Sequence, residues 1–429
     1  MLLLLAAPAT SSRNATSFNP SRASIDIGQA VVVQRDGKIV LAGTSRRGSR
    51  YDFALARYTT NGKLDPSFAK GGLLLASVGR GASGANAIAE QRDGKLIVAG
   101  RAYVSYHQSA FAVARYTRQG VIDRAFGRDG KALTAFRKPE QGKFSVASVS
   151  GVALQRDGRI VTAGVTSDVV RVTRVALARY TRVGRLDVGF GKGGKVEIDS
   201  GPLRGVGVRA VALQRDGKVV VVGYGSTGKQ NHFTVARFTK RGAVDRGFGN
   251  GGRVTTVLGH WSEAGAVAVQ ADGKIVVAGS VQVVGAGTQL GLVRYLQDGR
   301  SDLDFGTDGT VLTDFAVQGP PAVVIQPDGR IVVACGLNGP RRFGLSRYDV
   351  DGALDPTFGE VGKVRTKFRA GSAARGVARQ RDGRIVAAGS AGGDFAVARY
   401  TTEGTLDRSF GSGGTVITPL GPAWLPRGK

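Results

Sequence analysis

The sequence predicts an all-β fold, a seven-bladed β-propeller with four antiparallel strands in each blade. Three observations carry that expectation. A ten-residue block, QRDGKIVLAG at 34–43, returns as QRDGKLIVAG, QRDGRIVTAG, QRDGKVVVVG, QADGKIVVAG, QPDGRIVVAC and QRDGRIVAAG. A second block, ARYTTNGKLDPSFAKGG at 56–72, has a counterpart after every copy of the first. The apolar runs between turn signals are short and nearly unbroken, with no helical period, as expected of strands covered on both sheet faces.

Each element of the repeat follows from its residues. In the first copy, 30–33 and 39–42 are apolar runs on either side of Asp36 and Gly37. Asp-Gly between two such runs signals a hairpin, and the reading is a two-residue type I′ turn with φ > 0 at both positions. The matching turn residues are Asp93 and Gly94, Asp157 and Gly158, Asp216 and Gly217, Asp272 and Gly273, Asp328 and Gly329, and Asp382 and Gly383. A third strand is expected at 53–58 and a fourth near 73–76, giving strands A to D. Successive hairpin aspartates lie 57, 64, 59, 56, 56 and 54 residues apart. Such a period exceeds a β-solenoid coil and is close to that of kelch-type propeller repeats. Four-stranded sheets arranged radially cover one another on both faces, and a closed ring leaves no free sheet ends. The propeller is placed at 24–420 as one domain, after a segment at 1–23 and before a tail at 421–429. Either 24–27 or 415–418 could supply the strand that closes the ring.

Spacing separates scaffold from variable loops. The hairpin Asp stands seven residues before the closing Gly (or Cys335) in every copy. In every copy, too, the arginine of ARY stands eight residues before the LD aspartate and eleven before the FG phenylalanine. The intervals from strand B to the arginine, and from the phenylalanine to the next hairpin, vary. In a meander the A–B and C–D turns share one face of the disc, and the B–C and D–A connections share the other. One face is therefore regular and the other irregular, and an irregular loop face on a rigid scaffold is where function is expected. The seven Arg–Asp couples (Arg57 with Asp65, Arg115 with Asp123, Arg179 with Asp187, Arg237 with Asp245, Arg294 with Asp302, Arg347 with Asp355, Arg399 with Asp407) read as structural pairs tying strand C to the C–D turn. The cations that follow each hairpin Gly read as a solvated rim.

The two blocks together, QxDGKIVVAG and ARYxxxGxLDxxFGxxG, resemble the delta-60 repeat, a bacterial propeller repeat without an established function. The resemblance covers about 28–418. That family's pattern usually has Pro before the hairpin Asp, as at Pro327. Here Arg35, Arg92, Arg156, Arg215 and Arg381 stand in its place, with Ala271 in the fifth copy, and Cys335 replaces a Gly. These departures make the chain more basic, and the family offers no catalytic residues to carry over.

The chain has 60 Lys and Arg against 32 Asp and Glu, a formal charge of +28, which favours contact with polyanions as well as solubility. One cysteine excludes an intramolecular disulfide, and three scattered histidines argue against a histidine metal site or triad. No segment approaches the roughly 18 apolar residues of a membrane helix. The start, MLLLLAAPATSS, resembles the end of a signal peptide with an Ala7-Pro8-Ala9 cleavage pattern, so export to the envelope or beyond is expected, and a cytoplasmic location if that segment is not a signal.

On the irregular face the candidate binding residues are Arg46, Arg47, Arg50, Tyr51, Arg101, Tyr103, Tyr106, Arg137, Lys138, Arg341 and Arg342. Basic and aromatic groups side by side suit a glycan, an anionic envelope polymer, a protein or single-stranded nucleic acid. Asp349 to Asp355 begins like a calcium loop but lacks the full pattern, so no metal or other cofactor is expected. A hydrolase would need two carboxylates outside the repeated set. The candidates Asp52, Asp168, Glu197, Asp199, Glu263 and Asp394 show no clustering in sequence. A monomeric, non-catalytic binding propeller is the leading expectation. A polysaccharide-acting or other hydrolase with its site near the central channel is the alternative, and an intracellular polyanion-binding module the third.

Overall fold

The computed structural model of the chain describes residues 24–137, 139, 144–168, 173–199, 205–228 and 230–420. Among them lie seven four-stranded antiparallel sheets, each in the order A-B-C-D. The chain is a seven-bladed β-propeller. Blade one consists of Ile25–Val33, Ile39–Arg47, Arg50–Tyr58 and Leu73–Ala76, and blade seven of Ser372–Arg379, Ile385–Ala391, Asp394–Tyr400 and Thr415–Thr418. The signal-like start at 1–23 and the tail at 421–429 lie outside the described residues.

The A–B hairpin differs from the expected two-residue type I′ turn. In blade one Gly37 N–H donates to the Gln34 carbonyl at 2.9 Å, and Gln34 N–H donates to the Lys38 carbonyl at 2.7 Å. Only the Gly has positive φ, between +80° and +89° in the seven copies. The Asp keeps negative φ because its side chain has another use there. Its Oδ1 accepts the N–H of the residue two positions on, at 3.0–3.1 Å in every copy. The result is a three-residue loop with the Gly left-handed, held by an Asx contact.

Strand A is longer than the apolar run at 30–33 suggested. It starts at Ile25, so 24–27 leads into strand A and is no separate closing strand. The sequence hides this because each strand A carries a β-bulge; in blade one Gly28 faces Gly43 and Ala30 faces Ala42, leaving Gln29 unpaired. The bulge also explains the last residue of the ten-residue block. A Cβ on Gly43, Gly100, Gly164, Gly223, Gly279 or Gly389 would lie 1.8–2.1 Å from a carbonyl oxygen of the bulged strand A. In blade six the irregularity widens to Gly319, Pro320 and Pro321, between Gln318 and Ala322. That wider bulge is where Cys335 replaces the Gly, its side chain buried and its thiol pushed up to about 12 by desolvation.

Burial follows the radial order. Strands B and C are covered on both faces, as their unbroken apolar runs implied, whereas strand A of blade one is half-buried along most of its length. The A strands of neighbouring blades touch all round the ring, which places them innermost, about the central channel. The apolar core is divided into seven clusters, each shared by two adjacent blades. One of them joins Val386, Phe395 and Phe410 of blade seven to Leu41, Ala54 and Tyr58 of blade one. No strand crosses this seam, since Thr415–Thr418 pairs with its own strand C. Side chains and loop ends close it: Tyr58 OH donates to Thr418 Oγ1 at 2.9 Å, and Leu420 N–H donates to the buried Asp26 Oδ2 at 2.9 Å.

The bulge separates two substitutions of similar size. Gly164→Ala forces a carbon against the Ser148 carbonyl and is expected to cost about 1–3 kcal/mol, whereas Cys335→Ala is expected to cost less than about 1.5 kcal/mol. Urea unfolding of the two variants beside the parent measures the difference, and equal midpoints would refute the role given to the bulge.

Candidate functional site

On the regular face each Arg–Asp couple is formed. The arginine Nε lies 2.5–2.9 Å from the aspartate Oδ2 in all seven blades. The hairpin cations, read from sequence as a solvated rim, bind the same carboxylates instead: Lys38, Lys95, Arg159, Lys218, Lys274, Arg330 and Arg384 reach them at 2.8–3.2 Å. The hairpin puts strand B and strand C side by side at this end of the sheet, so a cation just past the Gly lands beside the C–D turn. Each guanidinium also lies 4.5–4.8 Å from the ring centre of its FG phenylalanine. Each donates through Nη1 to a carbonyl in the next blade: Arg57 to Arg118, Arg179 to Lys240, and across the seam Arg399 to Thr60.

These contacts set the charge state. Burial opposes ionisation of Asp65, but the bonds from Lys38 and Ser67 and the charge of Arg57 outweigh it and bring the carboxyl down to about 2. The other six repeat aspartates shift down in the same way, burial again opposing and the cations or hydroxyls beside them prevailing.

On the irregular face the candidate residues divide into groups. Arg46 lies 5.5 Å from the Tyr51 ring centre and Arg101 lies 5.4 Å from that of Tyr103. These two couples sit on adjoining blades, for Arg101 faces Gly84 across the sheet and a Cβ on Gly84 would come within 2.6 Å of Thr44 Oγ1. Arg80, exposed, joins them, its N–H donating to the Tyr103 carbonyl at 2.9 Å. By contrast, Arg47 and Arg50 are held by Asp52 at 3.8 and 2.7 Å, and Arg137 by Glu197 at 3.0 Å. Tyr106 belongs to a separate exposed cluster with His107 and Phe144. Arg341 and Arg342 are on blade six, with blade seven between them and the first group. Lys138 lies outside the described residues.

The off-pattern carboxylates are engaged as well. Beyond Asp52 and Glu197, Asp168 and Asp199 share Arg174 at 2.9 and 2.6 Å, and Glu263 takes Arg209 at 3.0 Å. The calcium-like stretch is occupied by a side chain, Arg330, which lies 3.0 Å from Asp349 and 3.2 Å from Asp355. Among the described residues no cluster of three His, Cys, Asp or Glu could hold a metal ion, and no helix is long and apolar enough to cross a membrane. Sequence reasoning passed over one feature of the regular face, a cleft of about 580 Å³ between blades three and four. The unusual Lys240-Arg241 pair in the C–D turn was the signal for it.

Comparison with known proteins agrees with this layout. A family model described as a domain of unknown function (DUF5122) β-propeller matches residues 34–68, 91–126, 155–190, 214–248, 270–305, 326–358 and 380–410, one hairpin-to-FG unit per blade. A search of the curated proteins found no match. Among solved structures the chain is similar to a catalytically inactive virginiamycin B lyase from Staphylococcus aureus, at 12% identity over 88% of this chain and 95% of that one, with a TM-score of 0.46. It is similar to a protein of unknown function from Dyadobacter fermentans at 11% identity, over 87% and 93%, with a TM-score of 0.46. A third is the polysaccharide lyase Uly1, at 12% identity over 91% and 88%, with a TM-score of 0.48. Likenesses this distant say nothing of ligand or reaction.

Two outcomes follow from the regular face. Asp187→Ala strands Arg179 and Arg159 without their shared carboxylate and is expected to cost about 3–5 kcal/mol, read as a lower melting temperature; an unchanged one refutes the pairing. Because the seven folded-state values are depressed, their stabilisation is complete above the unfolded carboxyl value of about 4 and is lost as pH falls through the folded values. Melting curves are expected to show this loss, with proton uptake on unfolding, between about pH 4 and the value of about 2 set by Asp65. A parent protein as stable at the acid end of that window as above it contradicts the assignment.

Proposed function

The chain belongs to the DUF5122 β-propeller family, and from that premise we propose that it is a non-catalytic binding propeller, exported, which presents a basic loop face to an anionic or glycan partner. The carrying observation is the pair of couples Arg46 on Tyr51 and Arg101 on Tyr103, side by side on blades one and two. Each guanidinium rests on a ring and has no carboxylate within salt-bridge distance among the described residues. Arg46 Nε donates to the Gly48 carbonyl at 3.2 Å, and the remaining guanidinium N–H groups of the two couples suit a carboxylate, sulfate or phosphate while the rings suit a sugar face. The engagement of Asp52, Glu197, Asp199 and Glu263 by arginines supports binding over hydrolysis, because a hydrolytic pair needs one carboxylate free to exchange a proton.

Export is part of the proposal and rests on the leucine run and Ala7-Pro8-Ala9. Reading the repeats as the delta-60 type rests on the two repeated blocks. An anionic polymer or glycan of the cell envelope is the partner these features fit, with the propeller acting as a monomer.

An array of anionic and neutral glycans, with nucleic acid alongside, probed at low and moderate salt, tests this reading. The double variant Arg46→Ala/Arg101→Ala is expected to weaken binding of the retained ligand about tenfold or more for each charge-assisted hydrogen bond it removes. Binding that vanishes for every probe in moderate salt, or that ignores the double variant, overturns it.

A further inference from the structure

We propose that the regular face carries a second site, separate from the loop face: the cleft between blades three and four takes a ligand bearing two or more phosphate or sulfate groups. The cleft measures about 580 Å³ and runs from strand A of each blade out to the C–D turn of blade four. Arg156, Arg215, Lys240 and Arg241 line it, and none has a carboxylate within salt-bridge distance among the described residues. Each is exposed. Two further cations in the lining, Arg159 and Arg179, are already bound to Asp187, and the lining's two carboxylates, Asp157 and Asp216, are paired with Arg159 and Lys218.

Comparison with the other blades shows why this gap is open and charged. Arg35 closes the gap between blades one and two by donating to the Arg92 carbonyl at 2.7 Å, and Arg118 is spent on the Asp93 carbonyl at 2.7 Å. Among the described residues, Lys240 and Arg241 have no such bond from their side chains. In blades one, six and seven, Ser67, Thr357 and Ser409 sit two residues past the repeat Asp and bond both members of the couple. Blade three has Gly189 at that position, where a Cβ would have only Asp187 Oδ1 near it, at 3.5 Å. Space is left where blades one, six and seven have a hydroxyl side chain; blade four has a glycine there too, Gly247, with only Asp245 Oδ1 near a Cβ, at 3.6 Å.

The charge is uneven around the ring. The hairpin arginine is present in blades one, two and seven as well, at Arg35, Arg92 and Arg381, but blades five and six have Ala271 and Pro327 where blades three and four have Arg156 and Arg215. They have Gln297-Asp298 and Val350-Asp351 where blade four has Lys240-Arg241. The face is thus polarised from a basic quarter toward an acidic one, and it focuses an anion on the cleft rather than attracting it everywhere. Four unneutralised cations set around one opening suit several oxyanion groups on one ligand. The lining has no aromatic residue, so the recognition is by charge and not by stacking of bases.

The test is calorimetric titration of the full chain with tripolyphosphate, a heparin-derived tetrasaccharide and an oligothymidylate at moderate salt. Either of the first two should bind, and which one does identifies the source of the oxyanion groups. Arg215→Ala/Lys240→Ala should weaken that binding tenfold or more with the melting temperature unchanged, and Arg46→Ala/Arg101→Ala should leave it unaltered. Failure of both probes to bind, binding indifferent to the cleft variant, or equal loss in the loop-face variant overturns the second site. Tighter binding of the oligothymidylate than of either anion overturns recognition by charge alone. The loop-face reading fails separately, on its own array and its own variant.

Discussion

The guanidinium of strand C is the group on which the rest of the ring depends. In one place it meets the repeat aspartate, lies against the FG phenylalanine and donates to a carbonyl of the following blade. The first two contacts lie within a blade and the third lies between blades. Beside it, the N–H following the FG phenylalanine also crosses to the next blade, from Gly191 to Arg241 and, at the seam, from Gly411 to Asn61. Such a network is costly to leave half-made, because every buried charge in it relies on the others. A structure whose units contact chiefly their neighbours must repeat its contact residues in each unit, and this chain does so in both blocks.

The same logic explains how the ring closes without a shared strand. Arg399 and Thr60 repeat at the seam what Arg57 and Arg118 do between blades one and two. The apolar cluster of the seam matches the other six in kind. Asp26 adds a contact peculiar to the seam, binding the chain end at Leu420.

Much of this was legible in the sequence. Fixed spacing from arginine to aspartate and from arginine to phenylalanine identified the scaffold, because residues that must meet in space cannot drift in register. Less legible were features set by backbone geometry. Asp36 looked like the first residue of a two-residue turn, and only its Oδ1 bond to Lys38 N–H reveals the three-residue loop. The bulge at Gln29 hid the start of strand A, and the irregularity at Pro320-Pro321 and the Gly-to-Cys change at 335 showed their connection only when paired across the sheet. The candidate binding residues formed one set in sequence and several in space, since Asp52 and Glu197 claim three of the arginines. The basic cleft escaped notice because its residues lie within the repeat, where variation between blades is easily taken for drift.

The central claim is that the strand-C arginine joins neighbouring blades and does not merely balance an aspartate. Native-state hydrogen exchange of Arg399→Lys tests it most directly, because lysine keeps the charge beside Asp407 but loses the fork that reaches Thr60. Faster exchange is predicted in the C–D turns of both blade seven and blade one, with blades three and four protected as before. Faster exchange confined to blade seven, or none at all, would contradict it.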